Sequence, residues 1–449
     1  MRVTIEKKSS VRFHLIVAVI IAVVLAGRTN VSQVVTHVVD PGPRPGPAGA
    51  GGHLPGVTAT ELQLFEEGQE TIQEVDSVSG AIPNTGSGLG PRFNMDGCSG
   101  CHSHPAPGGS SPPVNPMIAV ATRDGATNLV PFFITLDGPI RRAFIRNVGI
   151  STEEARQTHL FTIAGRSDAA GCNLAQPDFE ALRPRLSFHI PLPLFGDGLI
   201  ENIDTATLAA NLETNLIQKR ALGISGRLAG FGGSGRFFWK GQGNLLDIIA
   251  SGAYRDDVGV TNFLIPTESD GTPSCRFNSL PEDRFDFSAP DPISGLPDFA
   301  KIAGFIRFSA PPAPSQDTPS IANGRSLFNT VGCALCHTPS LQTGSSSSAA
   351  LNRKTVFLYS DLALHRMGPG LADGLAQGNA TASEFRTPPL WGVGQRPFLL
   401  HDGRTKDLVV AINAHFGGGD GSEANGVIRL FNNLSDQQKQ DIVTFLRSL

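Results

Sequence analysis

The sequence predicts a mainly α-helical protein with irregular and short β insertions, built around two related sites. Three observations carry this. Helical periodicity brackets loop-rich sequence: it runs from Thr58 to Val75 and from Ser320 to Val331, and returns from Ser435 to the C-terminus. Glycine (51) and proline (33) are abundant among the 449 residues, so many ordered loops are expected. The pattern Cys-x-x-Cys-His occurs twice, as Cys98-Ser-Gly-Cys101-His102 and as Cys333-Ala-Leu-Cys336-His337.

That pattern attaches a c-type haem. Two cysteines three positions apart reach both porphyrin vinyl groups as thioethers, and the adjacent histidine turns under the iron as its proximal ligand. With only 6 Cys and 11 His in the chain, two matches do not arise by chance. Zinc or redox Cys-x-x-Cys sites that happen to precede a histidine fit less well. The reading is two cytochrome c-like haem domains with two covalently bound haem c groups. Cys98, Cys101, Cys333 and Cys336 hold the porphyrins, and His102 and His337 bind the irons.

The elements follow in order. Lys7, Lys8 and Arg12 precede a nearly continuous apolar run, His14 to Ala26, short of the about 20 residues that cross a bilayer. Residues 1–27 therefore read as an export signal peptide or, left uncleaved, as a membrane anchor, and place the body in the periplasm or otherwise outside the cytoplasm. Residues 28–57, with Asp40-Pro-Gly-Pro-Arg-Pro-Gly-Pro, read as a Pro/Gly-rich linker or extended wrapping segment. Residues 58–308 form the N-terminal haem domain with insertions. Its first helix carries Leu62, Phe65 and Gly68, with Thr60 as its cap. Residues 105–200 are an irregular insertion with β-leaning runs such as Leu129-Val-Pro-Phe-Phe-Ile-Thr135.

Residues 309–449 form the C-terminal cytochrome c-like domain, entered through the stiff linker Ser309-Ala-Pro-Pro-Ala-Pro-Ser315. A short helix from Ser320 feeds into the second motif. A last helix, capped by Ser435 with Gln438 at its third position, lines up Ile442, Phe445, Leu446 and Leu449 to cross the first. Beyond the haem motifs the two halves show no repeat.

Net charge is −4 with both signs mixed, which argues against a nucleic-acid partner. With four cysteines on haem, Cys172 and Cys275 remain, and an oxidising compartment favours their pairing over two separate buried thiols. Arg141, Arg142 and Arg146 read as a solvated loop or, alternatively, a docking face.

The remaining iron faces decide function, because a strong sixth ligand makes an electron-transfer haem and an open position a reactive one. Past Met1, methionine occurs only at Met95, Met117 and Met367, and the other histidines of the C-terminal half are His365, His401 and His415. His415 ends a helix on the Leu408/Ile412 face, before a glycine run; Met367 is its rival. His104 is too near His102 to circle the ring, so an open first haem is favoured.

Three stretches, Glu384-Phe-Arg-Thr-Pro-Pro-Leu-Trp391, His401-Asp-Gly-Arg404 and Ala411-Ile-x-x-His415, carry a resemblance. Gly88-Leu-Gly-Pro-Arg-Phe-Asn94, Gly235-Arg-Phe-Phe-Trp239-Lys-Gly-Gln242 and Asp257-Val-Gly259 agree with it. Together they resemble the bacterial di-haem oxidoreductase family, often labelled thiol oxidoreductases. That family is similar to the di-haem cytochrome c peroxidases and the methylamine-utilisation di-haem enzyme. The resemblance spans residues 58–449. It implies that His415 stands where the peroxidases carry the methionine ligand of the C-terminal haem, which would lower the potential.

The resemblance also implies that Trp239 relays electrons between the haems. Asp257 would then sit over the first iron as acid and base for O–O cleavage, with Asp256 as the adjacent alternative. A glutamine that accompanies the acid in peroxidases is replaced by Ile249. Calcium between the domains is a further expectation, although Gly394-Gln395-Arg396-Pro397 departs from the peroxidase pattern.

The expectation is an exported, peroxidase-like di-haem oxidoreductase. It would reduce hydrogen peroxide or oxidise a substrate at the His102 haem, exchanging electrons with a small electron-transfer protein through the His337 haem. A di-haem electron-transfer cytochrome without its own substrate is the alternative.

Overall fold

Two crossed helix pairs of the same construction organise the molecule. The computed structural model describes residues 37–93, 95–146, 164–268, 272–418 and 421–449. The segment read as signal peptide or anchor lies outside the described residues. The α-helices run in order α1 Ala59–Gln73, α2 Met117–Arg123, α3 Phe179–Leu182, α4 Asp197–Glu201, α5 Thr205–Glu213 and α6 Leu216–Leu222. They continue as α7 Leu246–Val258, α8 Asp298–Phe308, α9 Pro319–Thr330, α10 Leu408–Ala414, α11 Asn425–Asn432 and α12 Asp436–Ser448. The chain is thus mainly helical with small sheets, and no helix among the described residues is long and apolar enough to cross a membrane.

The first pair is α1 with α8. A Cβ on Gly68 would lie 2.0 Å from the carbonyl oxygen of Lys301, so only glycine lets the backbones approach this closely. Beside the crossing, Phe65 stacks on Phe305 at 5.2 Å between centroids. The second pair, α9 with α12, repeats the device: a Cβ on Gly324 would lie 2.0 Å from the carbonyl of Asp441. Here Phe328 meets Phe445 edge-on at 5.4 Å. Each pair supplies the helix that leads toward one Cys-x-x-Cys-His motif.

The caps explain where these helices start. The expected cap of α1, Thr60, lies inside the helix; Thr58, in extended conformation, takes the role. Its hydroxyl accepts from the Glu61 amide and its own amide donates to the Glu61 carboxylate, closing a capping box. Thr318 caps α9, with Pro319 at the first helical position. Ser435 and Gln438 close the box at α12 as expected, and Ile442, Phe445, Leu446 and Leu449 are all buried.

Among the described residues the β-structure consists of two-stranded pieces, the longest being Arg142–Ile145 antiparallel to Leu186–His189. Leu129–Thr135 forms no strand, contrary to its β-leaning composition. Pro131 lacks a ladder donor, and Phe133 and Ile134 instead enter a core with Met117, Ile140 and Phe179. The Cys172–Cys275 disulfide, between residues 103 apart in sequence, ties this insertion to the loop before α8.

The proline-rich stretches are ordered wrapping segments that pair with one another. Leu54 donates to the Phe308 carbonyl (2.7 Å), Ala310 to Gly52 (2.9 Å) and Ala313 to Gly49 (2.8 Å). Further on, the Asp40 carboxylate is buried against the Arg447 guanidinium at 2.6 Å and caps α10 through the Leu408 amide, also at 2.6 Å. Burial alone would raise its pKa, yet Arg447 and the amides of Leu408 and Gly42 hold it below the ordinary carboxylate value. Residues 38–449 pack as one compact unit.

Candidate functional site

Both Cys-x-x-Cys-His motifs fold as one tight 3-10 turn. The His102 amide donates to the Cys98 carbonyl at 3.0 Å, and the His337 amide to the Cys333 carbonyl at 2.9 Å. The four cysteines are half-buried and unbridged. Burial raises the thiols of Cys98 and Cys333, each to about 12.

The imidazoles are anchored alike. Nδ1 of His337 lies 3.0 Å from the Tyr359 carbonyl and Nδ1 of His102 lies 3.0 Å from the Gly109 carbonyl. A carbonyl only accepts, so Nδ1 carries the proton and Nε2 is left as the ligand atom. The Tyr359 carbonyl is aimed by a left-handed backbone (φ 50°), a strained conformation for a tyrosine.

His337 opens into an apolar cavity of about 1560 Å³, part of it open to solvent, between the α9/α12 pair, α10 and α11. His415, the C-cap of α10, lines the same cavity with its Nδ1 held 2.8 Å from the Ala411 carbonyl. Burial, and then the charge of His415, depresses His337 to about 4. Two imidazoles with anchored Nδ1 atoms lining one apolar space are a donor set that would suit a haem iron. Met367 also lines the cavity but packs with Trp239, Phe385 and Phe398.

The first motif sits between two cores: Cys98 packs on the α1/α7/α8 core and Cys101 on the insertion core beside Met95 and Met117. Burial lowers the His102 pKa, while the carbonyls of Gly109 and Leu192 and the charge of Asp257 oppose it. Asp257, near the end of α7, pairs with Arg142 Nη1 at 2.8 Å, and its side chain is 43% exposed. Its charge also reaches Cys98 and Cys101. Asp256 pairs instead with its neighbour Arg255. Ile249 lies one helical stretch earlier on α7, against Gly243. His104 is committed elsewhere, 2.9 Å from the Gln395 carbonyl.

Trp239 stands in the wall of the cavity beside the second motif, and its Nε1 donates to the Ile190 carbonyl at 2.9 Å. The same short segment brings the Leu192 carbonyl to His102. Around Trp239, His401 stacks on Phe385 at 4.4 Å and meets the indole edge-on at 6.3 Å. Behind them Lys240, fully buried, bonds Asp373 Oδ1 at 2.9 Å, and His189 bonds the other oxygen at 2.9 Å. Sequence reasoning missed Lys240, Asp373 and His189; only the adjacency of Lys240 to Trp239 pointed to them.

A second buried ionic group adjoins the second motif. His365 lies between Asp361 (2.9 Å) and Glu423 (2.9 Å), with Cys336 Sγ 3.8 Å from its Nδ1. The three arginines read as solvated surface or docking face are structural ties. Arg142 pairs with Asp257, Arg141 donates to the Asp402 carbonyl and Arg146 to the Pro184 carbonyl. In the Gly394–Pro397 turn, the carbonyls of Gly394 and Arg396 accept from Arg447, so a guanidinium supplies positive charge there.

Residues 166–449 match the family model described as "Di-haem oxidoreductase, putative peroxidase". The chain belongs to the di-haem oxidoreductase family. The matched region of this di-haem oxidoreductase contains Trp239, Asp257, His337, Met367 and His415, and leaves the first Cys-x-x-Cys-His outside it. Membership makes the protein an oxidoreductase with haem cofactors. No curated protein matches the chain. Among solved structures, hydrazine synthase of Kuenenia stuttgartiensis, pressurised with xenon, is similar at 14% identity and a TM-score of 0.37, over 86% of this chain and 87% of that one. A MauG-like protein associated with microbial copper homeostasis is similar at 16% identity and a TM-score of 0.29, over 49% of this chain and 71% of its own. At these TM-scores neither likeness bears on mechanism.

Proposed function

We propose that this di-haem oxidoreductase is an exported c-type enzyme that reduces hydrogen peroxide at the first motif, fed by a small electron-transfer protein through the second. Cys98 and Cys101, and Cys333 and Cys336, form the thioethers, with His102 and His337 as proximal ligands. His415 would be the further iron ligand at the second site, and Met367 belongs to the packing around Trp239. The disulfide supports an oxidising, periplasmic location.

The observation that carries this reading is the inequivalence of the two histidines. His337 shares its cavity with a second anchored imidazole, whereas His102 has a carboxylate, Asp257, within electrostatic reach. When bound, haem supplies the electron transfer that breaks the O–O bond. Asp257 does the proton work. It would take a proton from one peroxide oxygen and return it to the departing one, so that two electrons from the reduced small electron-transfer protein and two protons from water turn one peroxide into two waters. Arg142 holds that carboxylate in place. Trp239, fixed to Ile190 and beside the Leu192 contact to His102, is the electron path between the sites.

Adding peroxide to the oxidised and half-reduced protein tests this by optical and EPR spectroscopy. One haem is expected to be high-spin and to respond to peroxide, with oxidation of a reduced small c-type cytochrome. Two low-spin haems that ignore peroxide would overturn it.

A further inference from the structure

The cavity beside the second motif is walled almost wholly by apolar side chains, and Arg386 and Arg396 are the Lys or Arg side chains that line it. Neither has a carboxylate within ion-pair distance among the described residues. Arg386 spends Nε on the Phe238 carbonyl (2.8 Å) and Nη1 on Thr387 (3.3 Å), and Asp197 acts on it only through space. Arg396 makes one bond, Nη2 to the Pro389 carbonyl at 3.3 Å, and its buried Nε has no partner. Burial pushes both guanidiniums down, to about 10, and Arg396 is lowered further by its like-charged neighbour Arg386.

Two mutually repelling cations, Arg386 buried and Arg396 half-buried, without a contacting anion are costly to fold and call for a negative partner. Close by, His401 also lines the cavity, 5% exposed, and described residues give its ring nitrogens no hydrogen bond. Leu400 before it and Phe238 before Trp239 both adopt left-handed backbone (φ 67° and 59°), which turns this corner of the wall. Haem brings two carboxylates of its own, and an apolar cavity that admits them must pay their desolvation with donors.

We propose that Arg396, with Arg386 and His401, forms the cradle that binds the propionate carboxylates of the second haem. This rests on the reading that haem occupies the cavity between His337 and His415. The guanidinium forks then neutralise the two propionates, and the free donors of Arg396 and His401 find acceptors. Arg396 Nε and the His401 ring nitrogens, unpartnered among the described residues on the cavity wall, are where a ligand carboxylate would bind.

The test uses the purified holoprotein and its Arg396→Gln and Arg396→Lys variants. Haem content comes from the pyridine haemochrome, midpoint potentials from spectroelectrochemical titration against pH, and propionate contacts from the propionate-bending band in resonance Raman spectra. The expected result for Arg396→Gln is two haems retained, a lower potential at the second haem, a potential that becomes pH-dependent near neutrality, and a shifted propionate band. The potential falls because a removed positive charge no longer favours the ferrous form.

Should Arg396→Gln lose its second haem, Arg396→Lys decides, with the potential largely kept and the propionate band moved. A wild-type propionate band and potential in a loaded variant would overturn the cradle while leaving the haem assignment intact. Wild-type protein with a single haem would overturn both.

Discussion

His415 and His337 leave the same ring atom, Nε2, free over one apolar cavity, because a backbone carbonyl holds the Nδ1 of each at 2.8 and 3.0 Å. Neither imidazole can rotate without breaking that bond, and neither is protonated at neutral pH in so apolar a setting. A pair prepared in this way would suit a haem iron, as proposed above. His415→Ala should therefore convert the second haem from low-spin to high-spin, and His415→Met should raise its potential. Met367→Leu should leave both unchanged. EPR and redox titration of the three variants check this; a spin change in Met367→Leu would move the ligand assignment to Met367.

Trp239 separates stability from electron flow. Replacing it with Phe keeps most of the packing but leaves the Ile190 carbonyl without its donor, a loss of about 1 kcal/mol. If the indole is the path between the sites, peroxide turnover should fall far more than that small stability loss explains. Stopped-flow reoxidation, with thermal unfolding alongside, distinguishes the two. Equal turnover in Trp239→Phe removes the tryptophan from the path.

Asp257 makes the opposite demand. Its pair with Arg142 is partly exposed on both sides, so its stability value is at most about 1 kcal/mol. Asp257→Asn should melt near the wild-type temperature yet slow peroxide consumption by roughly 100-fold or more, the usual worth of a positioned acid and base. Unchanged turnover would exclude it as the proton carrier, and Asp256→Asn then becomes the informative variant.

The crossings can be tested through their glycines. A Cβ at position 324 would press on the Asp441 carbonyl, backbone that cannot swing aside, so Gly324→Ala should force α9 from α12. The cost should be about 1–3 kcal/mol, the range for overpacking a core, with a lower thermal midpoint. Gly68→Ala should act likewise at α1 and α8. A wild-type midpoint in both would mean that the helices separate freely.

Where the sequence was legible, the signal was short-range. The motifs, the disulfide partners, the box of Ser435 with Gln438 and the buried face of α12 each lie within a few residues or follow from cysteine arithmetic. The structural repeat was not legible, since Phe65 precedes its crossing glycine while Phe328 follows its own; the same packing is reached from opposite sequence offsets. The Lys240–Asp373–His189 group was hidden for a related reason. Its members lie 133 and 184 residues apart, and nothing local marks a lysine as fully buried. Arg396 belongs to the same class, because its meaning depends on a cavity assembled from distant segments.

The His365 group gives the clearest pH dependence. Burial raises the Glu423 carboxyl, but the hydrogen bond and charge of His365 and the amides of Ser225 and Arg366 outweigh it and bring it to about 2. Its folded pKa lies below the unfolded value, so its stabilisation is complete above about 4.5 and is lost as pH falls toward 2. His365 runs the other way. Burial lowers it, yet Cys336 and Asp361 outweigh that and hold it well above its ordinary value of 6.5; a thioether at Cys336 would remove the first share and leave the Asp361 carboxylate, 2.9 Å away, to hold the proton. Its contribution is complete below that value and is lost as pH rises through the raised one. The group should therefore stabilise most between about pH 4.5 and 6.5. Glu423→Gln, which leaves the imidazolium short of a buried partner, should cost about 3–5 kcal/mol at pH 6 and flatten the acid limb of a stability curve measured by denaturant titration. An acid limb unchanged in the variant would show that Glu423 is not the group that titrates.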